Sequence, residues 1–370
     1  MACVPGKCHT ARSGATGRNP LWGATWPLPT NHSPVLFDCV TTSAIMAPDT
    51  MPLTLRIDPW EPSYESALKL DDDRVTTRPV NPFVETEDWR PVEPKPMPRP
   101  ETIVFVDGVQ RVETRVIGDE DGRLVYGAFV SVGVGAAVVR EGGSHLAPEA
   151  ARRIIALGEG ERCERYEVQC GSGTLTFQPE SEPDKGPDGW HKAVDRVRRD
   201  GETRLGQQMM EKGHPLVIAD GRLTFQPTRR SHAVGVAKSI RTVYLERPYS
   251  GVLAELRPGT RTPVFEIAYN NPVYSWYVRL STPRIIDHPL AGIVQVETMA
   301  GIGIAEALRL ADLTAQHLPS FASDSMWDAR APQNLYPVGA LEALLRHELG
   351  DHEWIRRHIE VHFHRQGVAA

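Results

Sequence analysis

The order of elements legible in this 370-residue chain predicts an α/β fold, a mixed-sheet core with flanking helices and additional C-terminal β and α elements. Two observations carry that expectation. Three β-type runs, 102–108, 111–117 and 124–140, precede one long helical stretch, and a further apolar run, 215–219, follows it directly. Two of these runs close on Asp-Gly: Ile103-Val104-Phe105-Val106-Asp107-Gly108 and Pro215-Leu216-Val217-Ile218-Ala219-Asp220-Gly221. Strand, strand, strand, helix, strand is the order of a ribonuclease-H-like core.

Residues 1–50 have no hydrophobic period and are rich in Gly, Pro, Thr and Asn, so they are expected to be a disordered leader. Met46 and Met51 stand just ahead of a more ordinary segment, consistent with a start later than Met1. Residues 51–100 read as an N-terminal arm with aromatic anchors (Trp60, Tyr64, Phe83, Trp89). It ends in a stiff lead-in carrying Pro91, Pro94, Pro96, Pro98 and Pro100. Trp190, Val194, Val197, Leu205 and Met209 recur at helical spacing up to Lys212, with Gly201 a weak spot. Strands are expected at 232–237, 241–246, 263–268, 276–280 and 292–297, and helices at 302–318, 339–349 and 352–363.

The formal charge of −6 gives no global sign of a polyanion partner. Between Lys192 and Glu246, however, eleven Lys and Arg stand against six Asp and Glu, so the segment around the second Asp-Gly is basic. Five scattered cysteines make neither a disulfide framework nor a zinc pattern, and imply a reducing compartment. The longest apolar run, 125–139, holds three glycines and is too short to span a bilayer. A cytoplasmic protein without a membrane segment is expected. No phosphate loop is present, because neither Gly133-Val134-Gly135 nor Gly301-Ile302-Gly303 is followed by Gly-Lys-Ser/Thr.

Alone, each Asp-Gly is ordinary turn chemistry. Together, Asp107 and Asp220 at the ends of neighbouring strands would repel unless a hard divalent cation joined them. Glu202, eighteen residues before Asp220 on the long helix, is a candidate third carboxylate, with Glu211 as its rival. Three oxygen ligands leave positions for water and phosphate, which suits two-metal phosphodiester hydrolysis.

Four blocks resemble the NurA nucleases of DNA end resection. They are Phe105-Val106-Asp107-Gly108 with Arg111; Leu216-Val217-Ile218-Ala219-Asp220-Gly221-Arg222-Leu223; His232-Ala233-Val234-Gly235-Val236-Ala237-Lys238-Ser239; and Tyr336-Pro337 followed by His347. The resemblance implies one nuclease domain over 101–365, a ribonuclease-H-like fold, and Mn2+-dependent cleavage with Mg2+ as substitute and two ions. It also implies a homodimer and a hexameric HerA-like ATPase as partner on DNA. By the same resemblance Asp107, Glu202 and Asp220 are metal ligands, and His347 is a fourth ligand or proton-transfer group, with His352 as rival. Lys238, Arg111 and Arg222 would contact the DNA backbone, helped by a channel lined near Arg198, Arg199, Arg229 and Arg230. Val109 stands where the family has a small hydroxyl residue, and His347 lies about one helical turn further from Tyr336 than is usual there. A catalytically inactive adaptor regulating a DNA-translocating ATPase, and a ribonuclease on the same fold, are the alternatives.

Overall fold

The computed structural model describes residues 78–368, apart from 121–122, 162, 172, 187, 226–231, 239–243, 286, 325, 327 and 329. The leader, residues 51–77 of the arm, and Arg229 and Arg230 therefore lie outside the described residues. The strands are β1 (Val80–Asn81), β2 (Thr102–Glu120), β3 (Arg123–Arg140), β4 (Gly143–Pro148), β5 (Arg152–Leu157), β6 (Tyr166–Cys170) and β7 (Gly173–Ser181). Helix α1 (His191–Glu211) leads to β8 (Leu216–Asp220) and β9 (His232–Ala237). There follow α2 (Val252–Glu255), β10 (Phe265–Ile267), β11 (Val273–Arg279), β12 (Ile293–Met299), α3 (Ile304–His317), α4 (Tyr336–Glu348) and α5 (His352–Val368). All strands join one sheet in the order β1-β10-β11-β12-β9-β8-β2-β3-β5-β7-β6, with β4 pairing β3 beside β5.

Its centre, β5-β3-β2-β8-β9, is the ribonuclease-H-like core. Strand β3 runs antiparallel to both β5 and β2, β8 and β9 run parallel to β2, and α1 makes the crossover into β8. Both faces are covered. Val104, Val106, Val130 and Val217 meet Val194 and Val197 of α1 on one side. Ile103, Phe105, Ile218 and Val234 meet Leu310 of α3 and Leu341 and Leu345 of α4 on the other. Double burial is why these strands read as continuous apolar runs rather than alternating ones. Each large aliphatic side chain so buried contributes roughly 1.5–3 kcal/mol.

The three leading strands differ from those expected. Runs 102–108 and 111–117 form one 19-residue strand, β2, which passes through Asp107-Gly108 without turning. The physical reason is its partner: β3 is 18 residues long and pairs with β2 from Thr102↔Arg140 to Glu120↔Arg123, so both strands run straight past 107–108 with no turn there. The third core strand is β5, one of four short strands in 141–181 where the apolar pattern suggested none. The strand expected at 241–246 falls mostly outside the described residues, and 244–246 is not strand.

Gly201 is not a weak spot. A Cβ there would lie 2.8 Å from Val134 Cγ2, so its absence lets α1 sit close on β3. Residues 78–100 close the other edge of the sheet. β1 pairs β10, and Glu85 accepts from Arg261 Nη1 (2.8 Å) and Nη2 (3.0 Å), while Arg261 Nε donates to Asp312 of α3 (2.8 Å). Arg261 is only 2% exposed, so removing either carboxylate would leave a buried charge short of a partner.

The packing of α4 on β3 gives a direct test. A Cβ at Gly135 would lie 2.9 Å from Leu341 Cδ1 and 3.2 Å from the Ala147 carbonyl, whereas one at Gly173 meets nothing within 4 Å. Gly135→Val is expected to lower unfolding free energy in urea by about 1–3 kcal/mol, and Gly173→Val by about 0.5 kcal/mol or less. Equal effects would refute the close helix–sheet contact.

Candidate metal centre

Strand register brings the two Asp-Gly carboxylates together. The parallel pairing of β2 with β8 runs from Ile103↔Leu216 to Val106↔Ala219, so Asp107 and Asp220 are the next residues on adjacent strands. They emerge at the same sheet edge, where β8 ends and β2 continues beside β3 alone. Glu342, on α4, enters from the face covered by that helix. One carboxylate oxygen from each of Asp107, Asp220 and Glu342 lies within 4.8 Å of the others. Asp107 (5% exposed) and Glu342 (7%) are buried, and Asp220 is half-buried.

Local sequence explains how each is held. Gly108 N–H donates to Asp107 Oδ1 (2.8 Å), and a Cβ at Gly108 would lie 2.7 Å from Glu202 Oε1, so glycine admits α1 at this point. Gly221 takes φ +98°, which turns the chain away after Asp220. The turn then crosses Gly235 of β9, where a Cβ would lie 2.6 Å from both the Gly221 carbonyl and the Leu223 nitrogen. Buried Glu297 on β12 accepts the Leu223 N–H (2.9 Å) and ties that turn down. The Val-Gly-Val-Ala-Lys strand thus serves the second aspartate twice, through the space at Gly235 and through Lys238.

Lys238 is buried. Its Nζ donates to Asp220 Oδ2 (2.6 Å) and to Asn334 Oδ1 (2.7 Å). Burial alone would depress its pKa, but the Asp220, Asp107 and Glu342 carboxylates outweigh burial and raise it, so it is an ammonium. Arg330 donates through Nη1 and Nη2 to the two oxygens of Glu342 (2.9 and 2.5 Å). Asp107 receives neither cation directly. Burial first, then the Asp220 charge, push its pKa well above the ordinary carboxylate range; Lys238 opposes this and Glu202 and Glu342 add to it. An all-oxygen donor set with a buried, under-compensated carboxylate fits a hard divalent cation such as Mg2+ or Mn2+.

Glu202 lies beside Gly108 and outside the three-carboxylate group, with Arg198 Nη1 donating to it at 2.5 Å. Burial raises its pKa to about 7 against the pull of Arg198, and Asp220 adds to the rise. Glu211 is exposed in the last turn of α1, nine residues from Glu202, a separation of about 13 Å along a helix. His347 is exposed on α4, whereas Val338, Leu341, Glu342 and Leu345 form the buried face of that helix. His352 Nδ1 lies 2.8 Å from Glu113 Oε2. Arg111 donates to Glu113 and to the Gly350 carbonyl (both 2.8 Å). Arg222 lies over the Tyr269 ring (4.0 Å) with its side chain 56% exposed. Arg199 is exposed, 3.8 Å from Asp195.

Glu342, Arg330 and Asn334 were not anticipated from the sequence. The signal for Glu342 was available: a carboxylate sits inside the apolar stripe Val338, Leu341, Leu345 of a helix, where an unpaired charge would be costly.

Because folded Asp107 and Glu202 hold their protons more tightly than the unfolded chain does, they stabilise the metal-free protein at low pH. That stability is lost as pH rises above the ordinary carboxylate range, through about 7 for Glu202. Asp107→Asn keeps the acceptor for Gly108 and removes the charge. In EDTA its melting temperature should exceed wild type at pH 8, by about 2–4 °C for each kcal/mol recovered. The excess should shrink toward pH 4. A variant that melts below wild type at pH 8 contradicts the electrostatic account.

No protein-family model and no curated protein matches the chain. Solved structures similar to it include three nucleases. The NurA nuclease from Sulfolobus solfataricus, of the family whose motifs the sequence resembles, is 10% identical over 70% of this chain and 84% of its own, with a TM-score of 0.38. Human ENDOV is 13% identical over 68% of this chain and 84% of its own, with a TM-score of 0.30. The endonuclease V of Bacillus subtilis is 13% identical over 75% and 88%, also with a TM-score of 0.30.

Proposed function

We propose that the protein is a divalent-metal-dependent nuclease that hydrolyses DNA phosphodiester bonds. The observation that carries this reading is the meeting of Asp107, Asp220 and Glu342 at one edge of adjacent parallel strands in a ribonuclease-H-like core. Fold alone would not suffice, since one fold hosts many chemistries. Those three carboxylates would hold the ion, and Glu202 is the neighbouring acid available to a second one. A bound Mn2+ or Mg2+ would supply an activated water and offset charge on the phosphate. Lys238 contributes a fixed positive charge beside Asp220, where it offsets the repulsion among the three acids. Arg222 is a nearby cation with an exposed side chain able to meet a DNA backbone.

The wider reading follows the motifs: single strands and DNA ends as substrate, a role in end resection and double-strand-break repair, a homodimer, and a HerA-like hexameric ATPase as partner. The chain carries no phosphate loop, so energy for translocation would come from that partner. No helix among the described residues is long and apolar enough to cross a membrane, and the proposed site of action is cytoplasmic.

A second reading has one observation in its favour. Lys238 and Arg330 already pair two of the three carboxylates, as they would in an inactive adaptor that keeps the fold and regulates an ATPase.

Cleavage assays with Mn2+, Mg2+ and EDTA on single-stranded DNA, duplex DNA and RNA separate the readings. Asp107→Ala and Asp220→Ala are each expected to slow Mn2+-dependent DNA cleavage by at least ~100-fold, about 3 kcal/mol of barrier. Wild-type rates in either variant would exclude the site, and an inert wild type would favour the adaptor. Faster cleavage of RNA than of DNA would reassign the substrate. Of the two α4 residues, buried Glu342 should matter more than exposed His347, by about ten-fold or more on alanine substitution.

A further inference from the structure

Three side chains on the loop between α3 and α4 link two of the carboxylates through a continuous chain of hydrogen bonds. Arg330 grips Glu342 with both Nη atoms. Asp328 Oδ1 accepts the Arg330 main-chain N–H (2.8 Å) and lies 3.4 Å from its Nε. Asp328 Oδ2 accepts from Asn334 Nδ2 (2.5 Å). Asn334, fully buried, accepts from Lys238 Nζ through Oδ1, and Lys238 donates onward to Asp220. One carboxylate therefore touches both arms: the arginine that orients Glu342 and the amide that orients the lysine on Asp220.

The arrangement fixes more than the loop. Asn334 can bond Lys238 through oxygen only if its amide nitrogen points away, and Asp328 is the acceptor that meets that nitrogen. The fork of Arg330 takes both Glu342 oxygens, a bidentate geometry that defines the carboxylate plane. Burial would raise the Asp328 pKa, but the hydrogen bonds from Asn334 and Arg330 outweigh it and hold the carboxyl below its ordinary range. It is thus an anion ready to accept from both sides.

We propose that Asp328 is a positioning residue for the metal centre, setting through Arg330 and Asn334 the orientation of Glu342 and Asp220 toward a divalent cation. The inference rests on the metal-dependent reading above. It assigns Asp328 no contact with substrate or ion. Partners that orient metal ligands typically carry 10–100-fold in metal affinity.

The test is calorimetric titration of Mn2+ into the full-length chain, without nucleic acid, for wild type, Asp328→Asn, Arg330→Lys and the double variant. Asp328→Asn keeps the shape but offers one acceptor where two are needed, and Arg330→Lys keeps the charge but gives up the fork. Each is expected to weaken Mn2+ binding by about 10–100-fold. The double variant should fall short of the product of the singles, since both act along one chain of contacts. Raising Mn2+ should restore the cleavage rate of Asp328→Asn. Mn2+ affinity within two-fold of wild type in the single variants, or lost cleavage that excess Mn2+ does not restore, overturns the inference and leaves the nuclease reading standing. A wild type with no saturable Mn2+ binding defeats both. If Asp328→Asn fails to fold, Arg330→Lys carries the same thresholds.

Discussion

Much of this architecture answers to one electrostatic constraint: the register of β2 against β8 places two aspartates side by side in a region from which water is largely excluded. Val106 pairs with Ala219, and both chains continue into Asp-Gly. A sheet covered on both faces offers such carboxylates little solvent, and like charges that close raise one another's proton affinity. The upward push on Asp107 expresses that conflict. Ions, protons or basic side chains have to resolve it, and the fold is arranged so that basic side chains do so only in part.

Partial compensation is physically informative. Lys238 sits on Asp220 and Arg330 on Glu342, while the Asp107 carboxylate is met by a backbone N–H. A structural ion-pair network would be expected to match each buried charge, because an uncompensated one costs several kcal/mol. Counting Asp328, which shares Arg330, four carboxylates face two cations, an excess of two negative charges when all are ionised. The neighbouring Glu202–Arg198 pair is neutral when ionised and does not correct the balance. The surplus sits where strand ends, helix and loop converge, a geometry that a hard cation would stabilise and a purely structural core would avoid.

Legibility in the sequence followed physical scale. Helix α1 and strands β8 and β9 were readable because their apolar residues repeat at a local period, and the two aspartates were readable because Asp-Gly closes those runs. The order of core elements came out right although its strands were divided differently. Whether residues 102–117 make one strand or two depends on the length of β3, a non-local fact. β5, Arg152–Leu157, was hidden because a six-residue strand starting with two arginines carries little pattern of its own. Arg330 and Asn334 were missed for a related reason: both sit on an irregular loop, and Asn334 meets Lys238 across 96 residues, further than any spacing rule reaches.

The same strand that carries Asp107 also fastens the far end of the helix that carries Glu342. Between Val112 and Thr114 the β2–β3 register slips by one residue, and the bulged residue, Glu113, is buried at 2% exposure. Bulges re-aim side chains, and this one directs a carboxylate to Arg111 on one side and His352 on the other. Arg111 and Arg153 in turn donate to the Leu349 and Gly350 carbonyls at the C-terminal end of α4, where cations are favoured by the helix dipole. Helix α4 is thus held near its middle, at Glu342, by the Asp328 network and at its end by Glu113 through Arg111, with its apolar stripe on glycine-bearing β3. Both attachments trace back to β2 or to residues bonded to Asp220. The distance from Glu342 to the two aspartates is therefore set by strand register and polar clamps together, rather than by hydrophobic packing alone, which tolerates sliding far better than hydrogen-bond geometry does.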